Sequence, residues 1–159
     1  METDYPNLSN DELLQRINEQ YGVRAQALWL HRDSGGRVYY LQCPEGRKVF
    51  KLYRPLHTGA AIQSTQILTY LERNGFPVVR TLPTLDGCPY ISLAHEPEQS
   101  IGILFEFAKG KCIGFLHRWR NGTQPLIHPK AKLIGQSLGR MHRLMEGYGG
   151  PLAPKGRAR

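Results

Sequence analysis

Lys51 is the side chain with the most chemical potential in this sequence. It lies in KVFKLYR (residues 48–54), where alternation puts Phe50 and Leu52 on one face of a strand and Val49, Lys51 and Tyr53 on the other. Upstream, Ser34-Gly35-Gly36-Arg37 is a tight-turn signal. Glycines at such a turn bring backbone N–H groups close to an anion, and a strand lysine below them supplies a point charge, so the two together can hold phosphate. Each piece also has a plainer reading. A mid-strand lysine can lay its stem on apolar surface with the ammonium in water, and two glycines can serve only the positive φ of a hairpin. Neither G-x-G-x-x-G nor G-x-x-x-x-G-K-[ST] occurs, so neither dinucleotide-binding nor Walker-type sites are supported. The six His residues show no H-x-x-x-H or H-E-x-x-H spacing, and the three Cys no C-x-x-C, so no metal site is proposed.

The elements that must position Lys51 can be read from period and punctuation. Capping residues over 7–10 and Leu13, Leu14 and Ile17 predict a helix from about Ser9 to Tyr21, ended by Gly22. Val23 to Arg32 enters a strand, Val38 to Leu41 resumes β chemistry after the glycine turn, and Lys48 to Tyr53 follows the turn Pro44-Glu45-Gly46. These three strands read as an antiparallel meander. After Pro55 the period changes to helical, over Thr58 to Arg73, closed by Asn74-Gly75 and Pro77. Short strands are expected at Val78–Leu82, Pro89–Leu93 and Ile101–Phe107, with Ala94 to Ser100 as a polar loop. A last helix is expected from Pro129 to Met145, with Leu133, Ile134, Leu138, Met141 and Leu144 as its apolar stripe. The order is α+β rather than doubly wound.

A glycine turn, a strand lysine, a helix and short strands ending in GILFEFAKG follow one another as in the small lobe of a kinase. The sequence resembles the aminoglycoside phosphotransferase and choline kinase-like family. The segments that carry the resemblance are KVFKLYR (48–54), ILTYLERNGFPVVR (67–80), GILFEFAKG (102–110) and IGQSLGRMHRL (134–144). Their order matches the family from about Ser9 to about Tyr148. The resemblance implies a kinase-like small lobe with an antiparallel sheet and one packed helix, then a hinge and the first helix of the large lobe, the rest of the large lobe being absent. In residue numbers, 1–108 would be the lobe with its N-terminal helix and 109–128 the hinge and linker. Residues 129–146 would be the first large-lobe helix, and 147–159 a flexible tail.

By the same resemblance the cofactor is ATP or GTP with Mg²⁺. Lys51 would hold the α- and β-phosphates under the Gly35-Gly36 turn, and Val49 would line the adenine pocket. Phe105 would stand as gatekeeper, and the backbone of Glu106 and Ala108 would bond the base. Two departures follow. The family's helix glutamate, which pairs with the strand lysine, falls near Ser64, between Gln63 and Thr65. Glu72 is the one carboxylate of that helix and sits at its far end. The family's catalytic loop, H-x-D-x-x-x-x-N, and its later metal-binding Asp are both missing, so no catalytic residue and no metal ligand are assigned. The expectation is a nucleotide-binding part of a small-molecule kinase, inactive alone. The alternatives are a non-catalytic basic interaction module and a gene fragment without function.

Charge keeps that alternative in view. Residues 1–108 carry 10 basic and 12 acidic side chains, whereas residues 109–159 carry 11 basic side chains and one acidic, Glu146. Without an RNP-like strand, a G-x-x-G loop or a zinc knuckle, the charge alone is weak evidence for a polyanion, and nucleic acid is not the expected partner. No apolar run approaches the roughly 20 residues of a membrane span, and the acidic start METDYPNLSNDELL is unlike a signal peptide. Three scattered cysteines read as reduced thiols in a cytoplasm. The apolar stripe of the last helix, whose large-lobe partner is missing, predicts self-association through residues 129–146.

Overall fold

The computed structural model describes residues 6, 8–95, 98–110 and 127–151 of the 159. Residues 1–5, most of the linker (111–126, with Cys112) and the tail from 152 onward lie outside the described residues. The chain runs α1 (Asn10–Tyr21), β1 (Ala27–Asp33), β2 (Arg37–Cys43), β3 (Gly46–Tyr53), a 3-10 turn at Pro55–His57, then α2 (Thr58–Arg73). It continues through β4 (Thr81–Leu82), β5 (Ile91–His95) and β6 (Glu98–Glu106) to α3 (Ile127–Glu146). All strand pairs are antiparallel, in the order β1-β2-β3-β6-β4, with β5 also on β6.

The sheet has two differently used faces. On one, Leu41, Phe50, Leu52 and Leu104 meet Leu13, Ile17 and Tyr21 of α1, forming the main core. Helix α1 is built for its place. Ser9 and Glu12 form a reciprocal cap, and Gly22 ends the helix in the left-handed region at φ 64°. The Tyr21 hydroxyl donates to the Gly102 carbonyl at 3.1 Å, a buried bond that ties α1 across the sheet to β6. On the other face, Ala61 and Ile62 of α2 pack on Ile101 and Ile103, with Tyr53 and Phe105 beside them. The sheet is thus sandwiched between α1 and α2.

Helix α2 has the bounds expected from its period, and β3 splits its side chains between the faces as alternation predicts. Elsewhere the sequence reading needs correction. The described residues of 94–100 are strand rather than polar loop, because β5 and β6 pair up to His95↔Glu98. In a hairpin only alternate positions need be apolar, and here Leu93 and Ser100 are buried while Ser92 and Gln99 are exposed and hydrogen-bonded to each other. Strand β1 begins at Ala27, not Val23. The Asn18 side chain holds both backbone groups of Ala25, at 2.9 and 3.0 Å, and keeps that segment tied to α1. Only Thr81 and Leu82 of 78–82 pair as a strand. Helix α3 starts two residues before Pro129, which still lies in its first turn, where a missing N–H costs nothing. Its C-terminal half docks on α2. The Tyr70 hydroxyl donates to the Leu144 carbonyl (2.8 Å), and the Arg140 guanidinium donates to the Gly75 carbonyl (2.7 Å). Leu133, Ile134 and Leu138, farther up the helix, are 63%, 40% and 47% exposed.

Candidate functional site

Register places Val49, Lys51 and Phe105 on the α2 face of the sheet and Glu106, opposite Lys48, on the other. Val38 pairs with Lys51 and Tyr40 with Val49 across β2 and β3, while Lys51 pairs with Ile103 and Val49 with Phe105 across β3 and β6. Directly opposed residues share a face, so Val49, Lys51 and Phe105 line one surface. Lys51 is half-buried, and its ammonium lies over the Tyr53 ring, 4.4 Å from the centroid. Burial, and after it the charge of Arg32, hold the Lys51 pKa below its ordinary value.

The glycine turn closes over this lysine. Gly35 has φ 65°, while Gly36 has φ 154° and is buried. A Cβ on Gly36 would stand 3.0 Å from the Leu52 carbonyl oxygen and 3.5 Å from Lys51 Cε. Glycine is therefore required there by both backbone conformation and the closeness of β3. The turn and the lysine are one structural unit.

Glu106 has other work as well. The Glu106 carboxylate takes the Lys48 ammonium at 3.2 Å, and its backbone N–H donates to the Arg80 carbonyl at 2.9 Å. Ala108 follows β6 and is exposed. On α2, Ser64 is exposed and spends its hydroxyl on the Ala60 carbonyl (2.8 Å), and Glu72 pairs with Arg80 (2.7 Å). Lys51 has no carboxylate partner among the described residues. The neighbouring Gln63 keeps a buried side-chain oxygen without a hydrogen bond. The tripeptide His31-Arg32-Asp33 matches the start of the kinase catalytic loop, but it lies in β1, Asp33 is bonded to Arg37 (3.2 Å), and Val38 stands where that loop has Asn.

An aromatic cluster beside Val49 is not singled out by the sequence. Tyr40 meets Trp29 edge-on at 6.0 Å and Phe107 at 5.9 Å, while the His31 ring stacks on it at 4.4 Å. The Arg47 guanidinium lies 5.3–5.7 Å from the centres of Trp29, Tyr40 and Phe107. Alternation in ALWLHRD and RVYYLQC carries the signal, since Trp29 and Tyr40 fall opposite each other once the glycine turn sets the register. Aromatic faces next to an apolar slot can stack a planar base. Among the described residues no three His, Cys, Asp or Glu side chains lie together, so they do not fit a divalent metal site of their own. The glycine-covered lysine does fit a phosphate.

No family model matches the chain, and no curated protein matches it either. Solved structures do. An amicoumacin kinase in complex with AMP-PNP and Ca²⁺ matches with a TM-score of 0.75 at 14% identity, over 94% of this chain and 42% of that one. A spectinomycin phosphotransferase in complex with ADP and spectinomycin matches at 0.64 and 18% identity, over 92% and 40%. A microcompartment-associated aminopropanol kinase matches at 0.62 and 18%, over 87% and 42%. The fold of this chain is therefore that of the N-terminal lobe of small-molecule phosphotransferases, and the chain spans 40–42% of the length of the three it matches.

Proposed function

We propose that this chain is the nucleotide-binding part of a small-molecule kinase. ATP or GTP lies on the α2 face of the sheet, its phosphates at Lys51 under Gly35 and Gly36. The base lies against Val49 and Phe105, facing the backbone of Glu106 and Ala108. Tyr40 adds a stacking surface at the base end. The observation that carries this reading is the approach of the glycine turn to Lys51, 3.5 Å from a Cβ position to Cε. A surface lysine that only covers apolar area needs no glycine roof. AMP-PNP and ADP in two of the structural neighbours support the same class of ligand.

In an intact enzyme of this kind the γ-phosphate passes to a hydroxyl of a small acceptor. This sequence has no H-x-D-x-x-x-x-N loop, so the chain binds nucleotide without transferring phosphate. The free thiols Cys43 and Cys88 suit a reducing cytoplasm. Titration calorimetry with Mg-ATP tests the reading. With only one wall of the cleft the expected affinity is about millimolar, and Lys51→Ala abolishes it. Submicromolar binding, or binding indifferent to Lys51, would refute it. Turnover above background in a coupled ADP-release assay would refute the claim of inactivity.

A further inference from the structure

A single extra residue in β1 decides which cations line the cleft. Trp29 pairs with Tyr40 and Leu30 with Tyr39, but the next pair is Arg32 with Val38, so His31 is a bulge. Regular alternation from Trp29 would turn Arg32 to the α1 face, beside the half-exposed Leu30 and away from Lys51. The bulge turns it to the opposite face, since Val38 in turn pairs with Lys51. Arg32, Val38 and Lys51 thus form one row across three strands. Their backbones span about 10 Å, at roughly 4.8 Å per strand, which lets two long side chains converge over the single valine between them.

Among the described residues neither cation is neutralised. Neither Arg32 nor Lys51 has a carboxylate partner among them, and the nearby Asp33 is bonded to Arg37. Of the acids nearest in sequence to these strands, Glu106 is occupied by Lys48 and Glu45, in the β2–β3 turn, by Arg24. Two unpaired cations side by side repel each other. The fold has nevertheless spent a β-bulge to bring them together beside a glycine turn. An anion between them removes the repulsion and gains charge-assisted hydrogen bonds to both.

We infer that Arg32 is a second phosphate-binding cation, which acts with Lys51 on the polyphosphate chain of the bound nucleotide. This rests on the nucleotide reading above. It also answers the absence of a partner glutamate on α2. Lys51 is held in place by its Tyr53 contact and the glycine roof, and Arg32 supplies the guanidinium fork that can take two phosphate oxygens at once. The low pKa of Lys51, to which the Arg32 charge contributes, is in keeping with an anion-free site of this kind.

The test compares ATP, inorganic tripolyphosphate and adenosine as ligands of the full chain, titrated by calorimetry and followed by thermal shift. Arg32 is exposed, so Arg32→Gln leaves the core intact, which a thermal melt of the free variant verifies. The substitution is expected to weaken ATP and tripolyphosphate about ten-fold, to leave adenosine unchanged, and to be partly rescued in Arg32→Lys. Unchanged ATP and tripolyphosphate binding by Arg32→Gln would overturn the role of Arg32 while the nucleotide reading stands. Arg32-dependent binding of tripolyphosphate without any gain for ATP, and no adenosine binding, would keep the two-cation site and overturn the nucleotide reading. Failure of the wild-type chain to bind either phosphate ligand would overturn both.

Discussion

Gly102→Ala is the sharpest perturbation of the frame that carries the site. Gly102 lies in the middle of β6, paired with Leu52 on one side and Ile91 on the other. A Cβ there would stand 2.0 Å from Phe50 Cζ, 2.7 Å from Cε2 and 3.0 Å from Cε1. Carbon atoms rest at about 3.5–4.0 Å, so the ring must retreat by roughly 1.5 Å. It has nowhere open to go, because Phe50 is fully buried among Tyr39, Leu52 and Leu104 in the main core. Overpacking of this kind costs about 1–3 kcal/mol. For a chain of this size that lowers the melting temperature by roughly 3–10 °C. Urea and thermal unfolding of Gly102→Ala, Phe50→Leu and the double variant form the assay. The smaller side chain should relieve the clash, so the double variant should be more stable than the sum of the two losses predicts, by about 1 kcal/mol or more. A stability of Gly102→Ala within about 0.5 kcal/mol of wild type would refute the packing argument. So would strict additivity with Phe50→Leu.

Three further perturbations probe the site and its surroundings. Lys51→Met is expected to lose nucleotide binding yet raise the melting temperature at pH 7, because it removes a half-buried cation that has no carboxylate partner among the described residues. The folded-state pKa of Lys51 lies below its ordinary 10.5, so the wild-type penalty is complete below that lowered pKa and fades as pH rises towards 10.5. The stability gap between variant and wild type should narrow accordingly between pH 7 and pH 10, and a gap independent of pH would sink the explanation. Tyr40→Ala should weaken ATP by about 5–30-fold through lost stacking while leaving tripolyphosphate unaffected, and equal losses for both ligands would remove Tyr40 from the base end. Leu133 and Leu138 of α3 are exposed, and burial of each is worth about 1.5–3 kcal/mol. The free chain is therefore expected to sediment as more than a monomer, with Leu133→Lys/Leu138→Lys reverting it, and a monodisperse wild-type monomer would contradict this.

The elements that sequence exposes best are those whose signals are local. Helix α2 begins after Pro55 and ends at Asn74-Gly75, and both stops are written in the residues themselves. Strand β3 alternates so regularly that the facing of Lys51 follows from Phe50 and Leu52 alone. What escapes are features set by distant partners. Val23 to Gln26 has strand-like composition, yet Asn18, seven residues before Ala25, claims both backbone groups of Ala25. The polar string Ala94 to Ser100 reads as loop until β5 and β6 meet, with Leu93 and Ser100 turned inward and Ser92 and Gln99 to water. Trp29, Tyr40, Arg47 and Phe107 come from three strands and the segment after β6, and no spacing in the sequence brings them together.

The bulge at His31 shows most clearly where periodicity stops being informative. Alternation is a rule about parity, and one inserted residue reverses parity for everything beyond it. Counting from Trp29, the sequence assigns Arg32 to the face that Leu41 and Phe50 fill with the α1 core. Leu30, on that face of the same edge strand, is 47% exposed, so either register would leave the Arg32 guanidinium in water. The register Arg32↔Val38 arises because the tight Asp33–Arg37 hairpin fixes the pairing from the far end of β1. Two registers propagate towards each other, one from the glycine turn and one from the Ala27–Gln42 end, and they disagree by one residue. His31 absorbs the difference. The same glycine turn that roofs Lys51 therefore also dictates that Arg32 shares the face of Lys51, so the charge at this end of the sheet follows from turn geometry rather than from any local motif around Arg32.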